Sequence, residues 1–210
     1  MNDRVAQLIL RYPALKPCAS SIDETIDLWV AQFRAHHKLL LAGNGGSAAD
    51  SDHISGELLK GFAKRRKLSP ADSQHLGEHI AEKLQGGLPA IPLSQFSSLL
   101  TAYGNDCDAQ YGFAQLVWAL GQPGDVLFAI STSGNSKNIL HASHVARQKG
   151  MKVVALTGAG GALKSFADIS ICAPSVVTYE IQEFHLPIYH CLCLAVEDVL
   201  FPDSTQLPIR

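Results

Sequence analysis

The sequence predicts an α/β domain built on a doubly wound parallel sheet. Three observations carry this reading. Short apolar runs alternate with helical patterns through short loops, as strands and crossover helices do in a parallel sheet. Two of those runs, Lys38 to Ala42 and Val126 to Ile130, stop at Gly43-Asn44-Gly45-Gly46-Ser47 and Ser131-Thr132-Ser133-Gly134-Asn135-Ser136, and each then hands over to a helix. With 210 residues at 47% hydrophobic, the chain has enough apolar surface for one domain with a modest extension.

Taken in order, Val5, Leu8 and Ile9 mark an amphipathic helix over Asn2 to Tyr12, which Pro13 and Pro17 break. Ser20 or Ser21 is expected to cap a second helix, reaching about Ala35 through Ile22, Ile26, Trp29 and Phe33. The first strand, Lys38 to Ala42, feeds a helix from Ser47 to about Phe62, with Ser47 as its cap. The segment 63–87 changes character. Lys64-Arg65-Arg66-Lys67 reads as a solvated basic run, Ser69-Pro70-Ala71-Asp72 as a helix start, and Leu76, Ile80 and Leu84 as the thin apolar stripe of an inserted surface helix. His75 and His79, four apart on it, read as solvated rather than metal-binding.

Leu88 to Leu93 reads as a short strand, placed near an edge because Pro89 and Pro92 cannot donate to a ladder. Ser94 caps a helix to Tyr103, and the loop Gly104-Asn105-Asp106 puts a carboxylate where open α/β sheets bind ligands. Helices follow over Ala109 to Leu120 and Lys137 to Lys149, strands over Lys152 to Leu156 and Ile169 to Cys172, and a long helix over Val177 to Phe201.

Composition narrows the function classes. Seventeen Lys and Arg against nineteen Asp and Glu give a net charge of −2, so a nucleic-acid groove is not expected. No apolar run reaches spanning length and the N-terminus lacks a secretory core, so a cytoplasmic protein without a membrane partner is expected. Cys18, Cys107, Cys172, Cys191 and Cys193 are odd in number and scattered, which argues against a disulfide framework and for buried thiols at Cys191 and Cys193.

The chemistry concentrates at the two handover turns. Glycines admit a ligand close to the backbone, and a helix N-terminus supplies free N–H groups. One helix cap uses one hydroxyl, so the cluster Ser131, Thr132, Ser133 and Ser136 exceeds structural need and suits the several oxygens of a phosphate. The glycine and lysine spacings of nucleoside triphosphate and dinucleotide sites are absent, which points to a sugar phosphate. His53 and Glu57, four apart, share a helix face beyond the glycine turn. On the last helix Glu183 and His190 share a face, with Gln182 about 80° from His190.

Gly43-Asn44-Gly45-Gly46-Ser47-Ala48-Ala49-Asp50, His53, Glu57, the Ser131 to Ser136 loop and Ile181-Gln182-Glu183-Phe184-His185 with His190 resemble the phosphoheptose isomerases of the sugar isomerase (SIS) superfamily. The resemblance covers about residues 20 to 200. It implies a single SIS domain with a flavodoxin-like five-stranded parallel sheet flanked by helices, assembled as a homotetramer with sites between subunits. It implies a zinc site of His53, Glu57, Gln182 and His190, acid/base roles for Glu57 and His190, and conversion of sedoheptulose 7-phosphate to D-glycero-D-manno-heptose 7-phosphate through an enediol, a step of heptose biosynthesis. Asn44, Gly45, Gly46, Ser47, Ser131, Thr132, Ser133, Ser136 and Gln182 would hold phosphate and sugar, with Asp106 near the substrate. Three positions depart from the family pattern: Gly56 replaces a glutamate, Glu180 replaces an arginine, and 63–87 is longer than usual. The alternative is a non-catalytic SIS binding protein similar to the tetrameric partner of the bacterial replication initiator, whose tail Val199-Leu200-Phe201-Pro202 resembles. That branch lacks the positions matching Glu57 and His190, which this chain keeps.

Overall fold

The side chain of Asn2 accepts the Arg4 N–H and so starts helix α1 (Asp3–Arg11). Pro13 and Pro17 lack the N–H groups a longer helix would need, and Pro13–Cys18 is a 3₁₀ turn. That turn leads straight into α2 (Ala19–Arg34) with no side-chain cap. Ser20 and Ser21, expected as caps, lie inside the helix; Ser21 donates back to the Cys18 carbonyl at 3.0 Å. Strand β1 (Leu39–Ala42) then enters α3 (Gly46–Leu59) through the glycine turn.

The segment that follows differs most from expectation. It opens with β2 (Lys64–Arg65) and holds two short helices, α4 (Pro70–Leu76) and α5 (Glu78–Ala81). Ser69 caps α4 as read, accepting the Asp72 N–H at 3.1 Å, but Gly77 takes φ +82° and ends the helix there. Neither helix has a buried residue, and Leu76, Ile80 and Leu84 remain exposed. His75 and His79 are exposed too. Strand β3 (Ala90–Pro92), α6 (Ser97–Tyr103), α7 (Gly112–Leu120) and β4 (Val126–Ser131) come next, followed by α8 (Lys137–Gln148), β5 (Lys152–Thr157), α9 (Ala162–Phe166), β6 (Ile169–Cys172), α10 (Thr178–Leu200) and β7 (Thr205–Gln206). This computed structural model describes every residue except Asp203 and 208–210.

Five strands form one parallel sheet in the order β3-β1-β4-β5-β6, and β2 pairs antiparallel with β7 in a separate ribbon. Numbered along the chain, the sheet strands run 2-1-3-4-5, the flavodoxin-like order. The proline-bearing β3 is at the edge, where one side of the ladder has no partner to lose. Between β1 and β4 the winding reverses. This switch point brings the loops leaving those two strands together at the carboxyl end of the sheet.

Alternate strand residues feed two cores. Leu39, Leu41, Phe128, Ile130 and Leu156 pack with residues of α1, α2, α3 and α10, while Leu40, Ala42, Leu127, Ala129 and Val153 pack with residues of α7 and α8. At the centre of the first core Trp29 is fully buried and meets Phe128 edge to face, with ring centroids 5.1 Å apart. The five cysteines are free, and Cys191 and Cys193 are buried as expected; burial pushes the Cys191 thiol up to about 12.

The basic run Lys64 to Lys67 is not a solvated one. Arg66 is fully buried and Lys64 nearly so: Arg66 pairs with Glu197 at 2.8 Å and Lys64 with Asp198 at 2.9 Å, both acids lying on α10. Period and composition mark charges as surface residues by default, and only the acids of a helix remote in sequence reverse that.

Replacing Trp29 with Ala empties a site between α2 and the sheet and should cost about 3–5 kcal/mol. Urea unfolding should show a lower midpoint at an unchanged slope.

Candidate active site

The glycine turn is built by backbone. Gly45 takes φ 55° and ψ −120°, a region open to glycine alone, and occupies the cap position of α3. The helix starts one residue earlier than Ser47, so Ser47 does not cap it, and its carbonyl instead accepts the Ser51 hydroxyl at 2.9 Å. A Cβ on Gly43 would lie 2.3 Å from the Ser47 carbonyl oxygen, so the close approach of turn and helix requires glycine there. Asn44, Gly45 and Gly46 face solvent at the mouth of this turn.

Across the switch point, the loop Ser131 to Ser136 leaves its hydroxyls free of capping duty. Ser136 holds the cap position of α8 without a side-chain cap bond, and its Oγ instead lies 3.0 Å from that of Ser131. Ser133 Oγ accepts the Asn135 N–H at 3.2 Å, and Thr132, half-buried, accepts the Gly158 N–H on its carbonyl. Asn44 of the glycine turn and Asn138 in the first turn of α8 exchange side-chain hydrogen bonds, Asn44 Nδ2 donating to Asn138 Oδ1 at 3.0 Å and Asn138 Nδ2 to Asn44 Oδ1 at 2.8 Å. Asn44, Ser136, Lys137 and Asn138 line a cavity of about 410 Å³ with Ala109 and Gln110. Sequence reading missed Asn138 and Lys137; their place in the first turn after the hydroxyl cluster was the available signal. Asp106 is exposed and accepts the Asn105 side-chain amide at 2.8 Å, three residues before the cavity lining begins.

Farther along α3, side chains able to exchange protons meet. His53 Nε2 lies 3.4 Å from Glu57 Oε1 on its own helix and 3.5 Å from His190 Nε2 on α10. Tyr189, which sequence reading also missed, shares a 3.0 Å hydrogen bond with His53 Nδ1 and so turns Nε2 toward the other two. Burial, and then the Asp50 carboxylate, push the Tyr189 phenol well up, so it stays neutral. The ring of Phe62 covers His190 at 5.3 Å. Glu57 is mostly buried and has Lys60 Nζ 3.2 Å away.

Gln182 is not in this cluster. It stands eight residues before His190, about 12 Å along the helix axis. Its amide lies over the glycine turn: a Cβ on Gly46 would meet Gln182 Nε2 at 2.6 Å. The structure thus brings three of the four expected metal ligands together and gives the fourth to the turn. Among the described residues no three His, Cys, Asp or Glu close around one point as they stand. Two imidazoles and a carboxylate nonetheless suit zinc by donor type, and the 3.4 and 3.5 Å spacings approach the tetrahedral edge of about 3.3 Å set by 2.0–2.1 Å bonds. His185 is fully buried, with Nδ1 3.9 Å from Asp50 Oδ2.

Burial lowers His190 below its ordinary 6.5, His53 adds to the shift, and Glu57 opposes it. His190 is therefore neutral near pH 7 and able to take or give a proton. The unfolded chain protonates first as pH falls from about 6.5, so His190 costs the folded state stability across the window from there down to its own value. In metal-free protein, NMR of the imidazole resonances should find His190 titrating below 6.5. A midpoint above that value would show that the Glu57 charge outweighs burial.

Comparison with known proteins agrees with this architecture. A model of the SIS domain matches residues 72–158. The phosphoheptose isomerase of Rhodospirillum rubrum is 41% identical over 187 residues, 89% of each chain, and that of Shewanella frigidimarina is 41% identical over 197 residues, 92% of this chain and 90% of its own. Among solved structures, phosphoheptose isomerases from Neisseria gonorrhoeae and Francisella tularensis superpose with TM-scores of 0.75 and 0.76 at 32% identity, covering 92% and 93% of this chain and 94% of theirs. Identity sustained over so much of both chains, on the same fold, means that this chain belongs to the phosphoheptose isomerase family and is an isomerase.

Proposed function

We propose that this isomerase interconverts a ketose and an aldose phosphate, and that its substrate is sedoheptulose 7-phosphate, converted to D-glycero-D-manno-heptose 7-phosphate. One observation carries the reading: His53, Glu57 and His190 approach one another two to three turns along the helix that starts at the glycine turn, which with the hydroxyl loop suits phosphate. The names of the relatives in Rhodospirillum and Shewanella support the choice of sugar.

In this reading the phosphate lies against the N–H groups of the glycine turn and the hydroxyls of Ser47, Ser131, Thr132, Ser133 and Ser136, while Asn44 and Gln182 orient the sugar. Glu57, as carboxylate, takes the proton from C1 of the ketose. His190 supplies a proton to the C2 oxygen, and the product is an enediol. His190 then removes the O1 proton while Glu57 returns its proton to C2. The carbonyl moves from C2 to C1, and no atom is gained or lost. General acid/base help of this kind contributes about 10²- to 10⁴-fold. His53, Glu57 and His190 would hold a zinc ion, which when bound would polarise the carbonyl, while Gln182 stays at the glycine turn. Assembly into a homotetramer is part of the same reading. The net charge of −2 speaks against a nucleic-acid partner. No helix among the described residues is long and apolar enough to cross a membrane, and we place the enzyme in the cytoplasm.

Incubation with sedoheptulose 7-phosphate, with and without zinc, followed by NMR, should show the aldose product. Glu57→Gln and His190→Ala should each lower turnover by about 10²-fold or more while size-exclusion chromatography finds the assembly unchanged. Absence of aldose from wild-type protein supplied with zinc would overturn the assignment of this sugar.

A further inference from the structure

Arg66 is spent entirely inside the molecule. Its Nε donates to Glu197 at 2.8 Å, Nη1 to the Leu58 carbonyl at 2.6 Å and Nη2 to the Glu57 carbonyl at 3.0 Å, and its guanidinium lies 5.0 Å from the centre of the Phe201 ring. The two carbonyls belong to the last turn of α3, where a longer helix would serve them with the N–H groups of Gly61 and Phe62. Those N–H groups donate elsewhere, to Gln85 Oε1 and Glu197 Oε1. Glu197 also accepts from the backbone of Ala63 and Lys64. One buried carboxylate on α10 thus gathers the chain as it leaves α3, and one buried guanidinium caps α3 on the same carboxylate.

A buried ion pair is a poor source of stability by itself, because desolvation offsets much of the attraction. Its geometry is what this one supplies. Arg66 holds the backbone of Glu57 itself, and Glu197 stands seven residues, two turns, beyond His190 on one face of α10. We propose that Arg66 and Glu197 are positioning residues that set the separation between Glu57 and His190. The inference rests on the reading of those two as the acid/base pair. It assigns the entrance to the 63–87 segment a part in the chemistry. The phosphate turn at Gly46 lies eleven residues back along α3, about 16 Å away, and should not feel the brace.

Arg66→Lys keeps the charge but cannot reach a carboxylate and two carbonyls with one ammonium, and Glu197→Gln keeps the shape without the charge. With folding checked by circular dichroism, each should lower kcat by about 10- to 100-fold and leave KM within about twofold, as loss of alignment does. In a Glu57→Gln background, Arg66→Lys should change the residual rate by less than about twofold, because the group being positioned is already gone. An equal drop in both backgrounds would mean general structural damage and overturn the proposal. If wild type turns over no ketose phosphate, the functional reading fails separately, and hydrogen exchange decides on the brace. Amides of residues 58–64 should then exchange faster in either variant while those of β4 do not, and unchanged exchange at 58–64 would refute it.

Discussion

The pairing of β1 with β4 is the constraint on which the rest depends. Four residues of β1 run beside β4 in register from Leu39 against Val126 to Ala42 against Ala129. Asp125, buried just before β4, locks that register by accepting the Lys38 N–H at 3.0 Å and the Lys38 ammonium at 2.6 Å. A slip of one residue would turn each apolar side chain to the wrong core and carry the glycine turn away from the hydroxyl loop. The Asn44 to Asn138 amide pair is the same constraint seen at the other end of the strands.

From that pairing the site divides by function along α3. In the proposed reading its first turn serves an anion, through backbone N–H groups, glycine conformations and the overlying Gln182. Two turns later the same helix presents His53, then Glu57, to His190. Binding and proton transfer are therefore assigned to opposite ends of one rigid element, with α10 beside it contributing to both. Burial keeps Tyr189 and His190 neutral, so the cluster holds a phenol and an imidazole that can each donate or accept a hydrogen bond beside the Glu57 carboxyl.

Much of this was legible in the chain. Strand runs and handover turns are local signals, and the strands over Val126–Ser131, Lys152–Thr157 and Ile169–Cys172 stand where the apolar runs put them. The spacing of His53 and Glu57 foretold a shared helix face. The excess of hydroxyls at Ser131 to Ser136 foretold a loop whose hydroxyls are not spent on capping. Less legible were Tyr189, Asn138 and Lys137, whose roles come from neighbours far away in sequence. The inserted segment misled in two ways: its helix breaks at Gly77, and the charge run at its entrance is half interior.

By itself, the sequence determined the order of elements, the alternation that fills two cores, the glycine conformations and the chemical types gathered at the turns. These follow from backbone geometry and side-chain polarity within a few residues. Tertiary structure alone decided that Arg66 is buried on Glu197 and that Gln182 lies over Gly46, apart from the three residues that meet at His53. Both outcomes depend on how α3 and α10 lie against each other, a distance and an angle that no local pattern encodes.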